Sequence, residues 1–179
     1  DAPLLPAERL WGFWEFTYAN AALAIATWAF LIGGAVGLFV GPKEGIAAIV
    51  AQQFEVGQQV LSHGMMPMIE PEINIKSETR AECDAILLEE TLKQLDALGA
   101  DQQVMLKLSL PVEAGKYDAL VQHPKVLRVV ALSGGYSREE ADARLSRNHG
   151  MVASFSRALT EGLTAQQSDA ELDAALDES

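Results

Sequence analysis

One lysine, Lys107, lies inside an otherwise apolar run, "VMLKLSLP" over residues 104–111. Neither face of an extended strand with this sequence is polar, so both faces are expected to be covered and the lysine to be interior. An ammonium removed from water must find a partner or lose its proton. A neutral lysine amine is a nucleophile that converts a carbonyl into an iminium. The alternative is a lysine at the strand end that reaches solvent, and the strand alone does not decide between the two.

Two carboxylates, Glu70 and Glu72, follow another apolar segment and are separated by Pro71. A two-residue spacing in extended chain directs both side chains to one side. Paired acids at the end of a strand are candidates for general acid and base catalysis, and they would supply the counter-charge that Lys107 needs. On spacing alone, an exposed surface loop explains the same residues.

A glycine loop and a cation could bind phosphate. Ser133, Gly134 and Gly135 follow an apolar strand, and backbone N–H groups in such a loop can form an anion site. Arg157 comes directly after the last predicted strand and could donate two hydrogen bonds to a phosphate. In an eight-stranded α/β barrel, the loops after the seventh and eighth strands commonly bind phosphate.

The elements that would position these residues alternate between helix and strand after Pro42, which is typical of an α/β protein with parallel strands. An apolar helical face over residues 46–61 precedes Gly64, and Ser77 is the expected N-cap of a helix from about 78 to 98. Capping boxes are expected at Ser137 with Glu140 and at Ser168 with Glu171. Short helical segments are also expected near residues 117–123 and from 138 to about 148. Four strands are predicted, over residues 65–70, 104–111, 126–132 and 151–156.

The first part of the chain differs from the rest. Residues 20–40, "NAALAIATWAFLIGGAVGLFV", are apolar almost throughout and long enough as a helix to cross a bilayer. A signal peptide is disfavoured because acidic residues precede the run, while a helix buried in a large soluble core remains the alternative. We therefore expect two domains: a hydrophobic, transmembrane-like helix in residues 1–42 and an α/β domain in residues 43–179.

Composition excludes several classes of function. The net charge is −12, with 25 acidic and 13 basic residues, and the acidic excess lies after residue 43, which argues against nucleic-acid binding. The single cysteine, Cys83, cannot form an internal disulfide and is consistent with a reducing compartment. The three histidines are far apart in sequence and show no metal-ligand spacing, so no metal site is expected.

Five segments together resemble the class I fructose-bisphosphate aldolases, especially the bacterial branch. They are "QQFEVGQQVLSHG", "PMIEPEINI", "QQVMLKLSLP", "HPKVLRVVALSGGYSREEA" and "ASFSRALTEGL". The resemblance runs from about Glu44 to the C-terminus. It implies the second half of a (β/α)8 barrel, strands five to eight with their helices, preceded here by the long hydrophobic helix.

The same resemblance implies a reaction and a role for each site residue. The reaction is reversible cleavage of fructose 1,6-bisphosphate to dihydroxyacetone phosphate and glyceraldehyde 3-phosphate, a step of glycolysis and gluconeogenesis, without metal or other cofactor. Lys107 matches the Schiff-base lysine, Glu70 the principal acid/base, and Glu72 the second glutamate beside the lysine. The matches to phosphate-binding positions are Ser133, Gly134, Gly135, Ser154, Ser156 and Arg157. Ser156 replaces a glycine of the animal enzymes, and its backbone N–H can still serve.

The resemblance also implies what this chain lacks. The first four strands of such a barrel, with an aspartate and two lysines of the active site, have no counterpart here, and neither does the C-terminal tail with its functional tyrosine. We therefore expect impaired turnover and self-association of a half barrel through its open strand edges. The expected location of this part is the cytoplasm.

A separate and less specific resemblance covers residues 1–42. The stretch "PAERLWGFWEFTYANAALAIATWAFLIGG" is similar to the first helix of the nucleobase/cation symporter family, the cytosine and allantoin permeases. Transport needs a bundle of such helices, so residues 11–41 are instead expected to bind a membrane or a helix partner. Two alternatives to the aldolase reading stay open: a non-catalytic, membrane-anchored fusion fragment, and a lyase acting on another sugar phosphate.

Overall fold

The structure is a computed structural model that describes residues 41–155, 163–164 and 166–177. The chain divides into two compact units, Asp1–Gly45 and Ile46–Ser179. Of the first unit, only residues 41–45 are described, and they are helical. The domain boundary expected after residue 42 stays a prediction.

The second unit alternates helices and parallel strands, as the sequence predicts. Its elements in chain order are α1 (residues 46–62, the part within this unit of a helix described from residue 41), β1 (Met68–Ile69), α2 (Arg80–Ala97), β2 (Val104–Ser109), α3 (Asp118–Val121), β3 (Val126–Leu132), α4 (Arg138–Leu145), β4 (Met151–Ala153) and α5 (Asp169–Asp177). The four strands form one sheet in the order β1-β2-β3-β4, and every neighbouring pair is parallel. The α/β class and the four-stranded parallel sheet are therefore confirmed.

The core lies on the face of the sheet that the helices cover. Alternate residues of β2 contribute to it because side chains two apart share a face of a strand. The buried members include Val104, Leu106, Leu108 and Leu110, which pack with Val129 of β3. Burial of large aliphatic side chains contributes about 1.5–3 kcal/mol each, so this face supplies much of the stabilisation of the sheet.

The opposite face of the sheet is less covered than the sequence suggested. In β2 the alternate residues Met105 and Lys107 are half-buried, while Met68 of β1 is 45% exposed and Val152 of β4 is 36% exposed. The expectation that both faces of β2 are fully covered is wrong for this face. This face of β2 carries the polar residues Lys107 and Ser109 beside Met105, and a single apolar residue is compatible with partial exposure, so the sequence did not require the face to be covered.

The lengths of the elements differ from prediction mainly at the edge strands. β2 and β3 occupy the predicted segments, but the first predicted strand shrinks to Met68–Ile69 and the last to Met151–Ala153. Strand character is lost where cross-strand hydrogen bonding stops. The expected N-cap Ser77 is also wrong, since Thr79 occupies that position, without a side-chain capping bond. Both predicted capping boxes place their serine at the N-terminus of a helix. The Ser137 hydroxyl accepts a hydrogen bond from the Glu140 N–H, and the Ser168 hydroxyl accepts one from the Glu171 N–H.

The predicted membrane span, residues 11–41, lies outside the described residues apart from Gly41. Among the residues that the structure describes, no helix combines the length and the apolar character that crossing a bilayer requires.

Candidate functional site

Lys107 and Glu70 form an ion pair at the carboxyl-terminal edge of the sheet. The Lys107 Nζ lies 2.7 Å from the Glu70 Oε1, and the two side chains are 22% and 45% exposed. The strand register explains the pairing, because Ile69 of β1 is aligned with Leu106 of β2. The next residues along the two parallel strands are Glu70 and Lys107, so their side chains leave the sheet side by side.

The exposure of Lys107 matches neither of the two alternatives predicted from the sequence, an interior lysine or a lysine at the strand end that reaches solvent. The ammonium is neither fully buried nor free in bulk water, since it is half-buried against a carboxylate. At 2.7 Å, a proton can pass directly between the amine and Glu70. The arrangement can therefore present a lysine nitrogen to a carbonyl while a neighbouring group accepts and returns a proton.

Glu72 is exposed, as Glu70 is, but does not reach Lys107. Burial alternates along the segment after β1, with Pro71 and Ile73 buried and both glutamates exposed. This alternation is consistent with the spacing rule, and the direction of the Glu72 carboxylate stays a prediction. Of the two, only Glu70 is within ion-pair distance of the lysine among the described residues.

The backbone of Glu70 is held by a side chain from α1. The Glu70 N–H donates to the Gln53 Oε1 at 2.8 Å, and the Gln53 Nε2 donates to the Glu70 carbonyl oxygen at 3.2 Å. A carboxamide that uses both its groups in this way replaces the backbone of a neighbouring strand. It fixes Glu70 immediately after β1, where the sheet ladder ends.

Ile73, three residues further on, is bound by Ser109 at the end of β2. The Ser109 hydroxyl accepts from the Ile73 N–H and donates to the Ile73 carbonyl oxygen, both at 3.1 Å. Ser109 is only 1% exposed, and it lies two residues after Lys107 on the same face of β2. The segment that carries both glutamates is thereby tied to the strand that carries the lysine.

A buried charged network supports the same segment from α2. The guanidinium of Arg80 donates to the Asp84 carboxylate at 2.8 Å and to the carbonyl oxygens of Ile73 and Leu110, both at 2.9 Å. The Tyr117 hydroxyl donates to the same carboxylate at 3.0 Å. Burial, followed by the charge of Asp84, raises the pKa of Tyr117 far above its ordinary value, so the hydroxyl remains a donor.

The predicted phosphate loop follows β3 and contacts the segment after Glu72. Gly134 and Gly135 have positive φ angles of 62° and 103°, and the Tyr136 N–H closes the turn by donating to the Ser133 carbonyl oxygen at 3.0 Å. A Cβ on Gly134 would lie 2.8 Å from the Ile75 Cγ2. Glycine is required there by both backbone conformation and space, and the loop lies against the acidic segment.

The remaining predicted phosphate ligands are described only in part. Ser154 follows β4 and is half-buried, and its N–H donates to the Ala131 carbonyl oxygen at 2.8 Å. That N–H is used in the sheet, so a ligand bound by Ser154 would have to use its hydroxyl. Ser156 and Arg157 lie outside the described residues.

Glu70, Glu72, the Ser133–Gly135 loop and Ser154 follow parallel strands at one edge of the sheet, and Lys107 lies within β2, two residues before its end. This edge is the usual position of ligand sites in such folds. Within residues 41–155 and the other described positions, no group of three or more histidine, cysteine, aspartate or glutamate side chains could hold a metal ion.

Curated proteins that share one name are similar in sequence to this chain. A protein of Synechocystis sp. named fructose-bisphosphate aldolase class 1 is 58% identical over 135 residues, which are 75% of this chain and 45% of the relative. The Porphyromonas gingivalis protein of the same name is 52% identical over 137 residues, or 76% of this chain and 46% of that protein. The chain spans about half the length of the curated relatives it matches. No family model matches the chain.

Sequence reasoning found the ion-paired groups but missed the residues that hold them. The sequence does not indicate a role for Gln53, because a glutamine on a helix is ordinarily a solvated residue. Arg80 and Asp84 gave a weak one, an i,i+4 pair of opposite charge on a helix. Ser109 could have been noticed as a polar residue two positions from Lys107 in an apolar strand.

Proposed function

We propose that this chain is the part of a class I fructose-bisphosphate aldolase that carries the Schiff-base lysine, a carbon–carbon lyase acting on a sugar phosphate. The observation that carries the proposal is the Lys107 Nζ held 2.7 Å from the Glu70 Oε1 at the carboxyl-terminal edge of a parallel sheet. The names of the two curated relatives, at 58% and 52% identity, support it.

The fold supports the proposal in a more specific form, the second half of a (β/α)8 barrel. The sheet order β1-β2-β3-β4 follows the chain, all pairs are parallel, and a helix lies between each strand and the next. Barrels of this type are built from eight such units. The face that carries Lys107 would be the inner face of the barrel.

Each residue has a role in the proposed reaction. The Lys107 nitrogen attacks the C2 carbonyl of the ketose phosphate, water is lost, and an iminium forms. Glu70 carries two protons in turn from the Lys107 nitrogen to the carbonyl oxygen, so the oxygen leaves as water and the iminium keeps one proton on nitrogen. The iminium then accepts the electron pair of the breaking C3–C4 bond, and the C4 hydroxyl passes its proton to the Glu70 carboxylate as the aldehyde is released.

The remaining predicted residues have supporting roles in the proposal. Glu72, on the same side as Glu70, provides a second negative charge beside the reacting groups. The N–H groups of the loop from Ser133 to Gly135 bind one phosphate, together with Ser154, Ser156 and Arg157. The substrate is fructose 1,6-bisphosphate, and the three-carbon ketose product is dihydroxyacetone phosphate.

A hydrogen-exchange experiment tests the proposal without requiring complete turnover. With dihydroxyacetone phosphate in D₂O, conversion of the iminium to the enamine exchanges a proton at C3, which NMR detects. We expect exchange with the unmodified chain and none with Lys107→Met. The matched control is Lys116→Met, because Lys116 is also half-buried, at 26% side-chain exposure, and ion-paired, with Glu113 at 3.6 Å.

The control variant should exchange at the rate of the unmodified chain. Equal exchange in the Lys107 variant would overturn the assignment of the lysine, and a total absence of exchange in the unmodified chain would count against the proposed function. A panel of keto sugar phosphates in the same assay distinguishes fructose 1,6-bisphosphate chemistry from a lyase on another substrate.

A further inference from the structure

The segment from Glu70 to Ile73 is fixed at both ends by side chains that do not belong to it. Gln53 binds the N–H and carbonyl of Glu70, and Ser109 binds the N–H and carbonyl of Ile73. Each of these side chains therefore satisfies a donor and an acceptor of one residue. We name Gln53 and Ser109 together the clamp.

The segment needs such a clamp because the sheet does not hold it. β1 ends at Ile69, so the residues after it lack ladder hydrogen bonds that would fix their direction. A carboxylate on an unrestrained loop samples many positions, and a shift of about 1 Å in a reacting group can cost about a hundredfold in rate.

We infer that Gln53 and Ser109 are positioning residues that hold the Glu70 carboxylate against the Lys107 ammonium. The inference rests on the proposed function for its catalytic consequence, but the pairing itself can be measured without substrate. Neither side chain is placed to touch a substrate in this account. Both act through the backbone of the segment between them.

The clamp differs from the buried Arg80 and Asp84 network in what its loss should change. Arg80 spans Ile73 and Leu110 and is 4% exposed, so its removal affects the stability of the whole unit. Gln53 lies on α1 and is half-buried, and its hydrogen bonds to this segment are confined to the backbone of Glu70. Its substitution is expected to change the position of Glu70 more than the stability of the fold.

Competitive acetylation of the intact chain measures how firmly the Lys107 ammonium is paired with the Glu70 carboxylate. Trace acetic anhydride reacts with lysine amines, and a lysine whose nitrogen is held against a carboxylate reacts slowly because the contact shields the nitrogen from the reagent. Mass spectrometry gives the labelling of Lys107 relative to Lys116 in each variant. Glu70→Gln should raise this ratio by about two- to fivefold, the range that a half-exposed ion pair supports.

Two clamp variants and two controls then test the inference. Gln53→Met and Ser109→Ala should raise the ratio in the same direction, and neither should raise it further when combined with Glu70→Gln. The controls are Gln58→Met, whose amide instead pairs with Gln102, and Thr91→Val, which removes a buried hydroxyl without a hydrogen-bond partner. Both controls should leave the ratio unchanged.

A catalytic measurement separates positioning from a purely structural role. Under the proposed function, the rate constant of iminium trapping by borohydride should fall about ten- to a hundredfold in both clamp variants at an unchanged half-saturating concentration of dihydroxyacetone phosphate. Ser109→Thr retains the hydroxyl and should restore the rate. This variant, together with Gln53→Met, keeps the test valid if Ser109→Ala does not fold.

The outcomes of the two experiments are distinguishable. A labelling ratio that stays at the unmodified value in Gln53→Met and Ser109→Ala, or effects that add to that of Glu70→Gln, would overturn the clamp. Coupled labelling in a chain that forms no iminium would support the clamp while refuting the aldolase proposal.

Discussion

Replacement of Asp84 by alanine should destabilise the second unit more than any surface substitution, because it leaves a buried guanidinium without its counter-charge. The side chains of Arg80 and Asp84 are only 5% and 2% exposed. The carboxylate also accepts from the Tyr117 hydroxyl and from the Val112 N–H, both at 3.0 Å. Asp84→Ala therefore removes the acceptor of three donors at once.

The expected loss in the free energy of unfolding is about 3–5 kcal/mol, the cost of breaking a buried ion pair by removing one partner. A domain of this size has about 5–15 kcal/mol in total, so the variant should be close to unfolding. The double variant Arg80→Met with Asp84→Leu should lose less than Asp84→Ala, because no charge is left buried. Its remaining costs are the Leu110 carbonyl, which loses the donor from Arg80, and the Tyr117 hydroxyl and the Val112 N–H, which lose their acceptor.

Urea unfolding followed by far-UV circular dichroism measures these differences. The control is Glu140→Ala, which breaks an exposed i,i+4 pair with Arg144 and should cost less than about 1 kcal/mol. A loss for Asp84→Ala no larger than that of the control would refute the reasoning. So would a double variant less stable than Asp84→Ala alone.

Three further predictions concern the turns and the titrating groups. Gly134→Ala should cost about 1–3 kcal/mol in unfolding free energy, since its φ is 62° and the new Cβ would lie 2.8 Å from Ile75; a urea midpoint equal to that of the unmodified chain would contradict this. The raised pKa of Tyr117 stabilises the fold fully at a pH below the ordinary tyrosine pKa of 10.0, and this contribution declines as the pH rises beyond that value. The thermal unfolding temperature should therefore fall in alkali. Tyr117→Phe should make this fall smaller. Hydrogen bonds from the backbone and side chain of Ser168 lower the pKa of Glu171 from its ordinary value of 4.5. The helicity of α5 should therefore be constant above that pH and decrease as acid protonates the carboxylate. Circular dichroism of Ser168→Ala should show a smaller acid-induced loss of helicity.

The central strands could be predicted from sequence because their residues carry the signal themselves. The apolar runs of β2 and β3 coincide with the observed strands, and Ser137 forms its predicted cap. The edge strands were overestimated, since a strand ends where its neighbour stops supplying hydrogen bonds, and that depends on residues distant in sequence.

The paired groups of the candidate site could be proposed from sequence, but their environment could not. A lysine in an apolar strand predicts a nearby counter-charge, and the strand register places Glu70 beside Lys107. The clamp residue Gln53 acts on a residue 17 positions away, and Ser109 on one 36 positions away. Such contacts appear only after the helices have packed on the sheet.

The proposed function depends most directly on covalent chemistry at the Lys107 nitrogen. The chain is incubated with dihydroxyacetone phosphate, reduced with borohydride and digested, and each lysine peptide is analysed by tandem mass spectrometry. We predict a secondary-amine adduct of the ketose phosphate on Lys107, absent when the ligand or borohydride is omitted. An unmodified Lys107, or an adduct distributed equally over Lys107 and Lys116, would contradict the account.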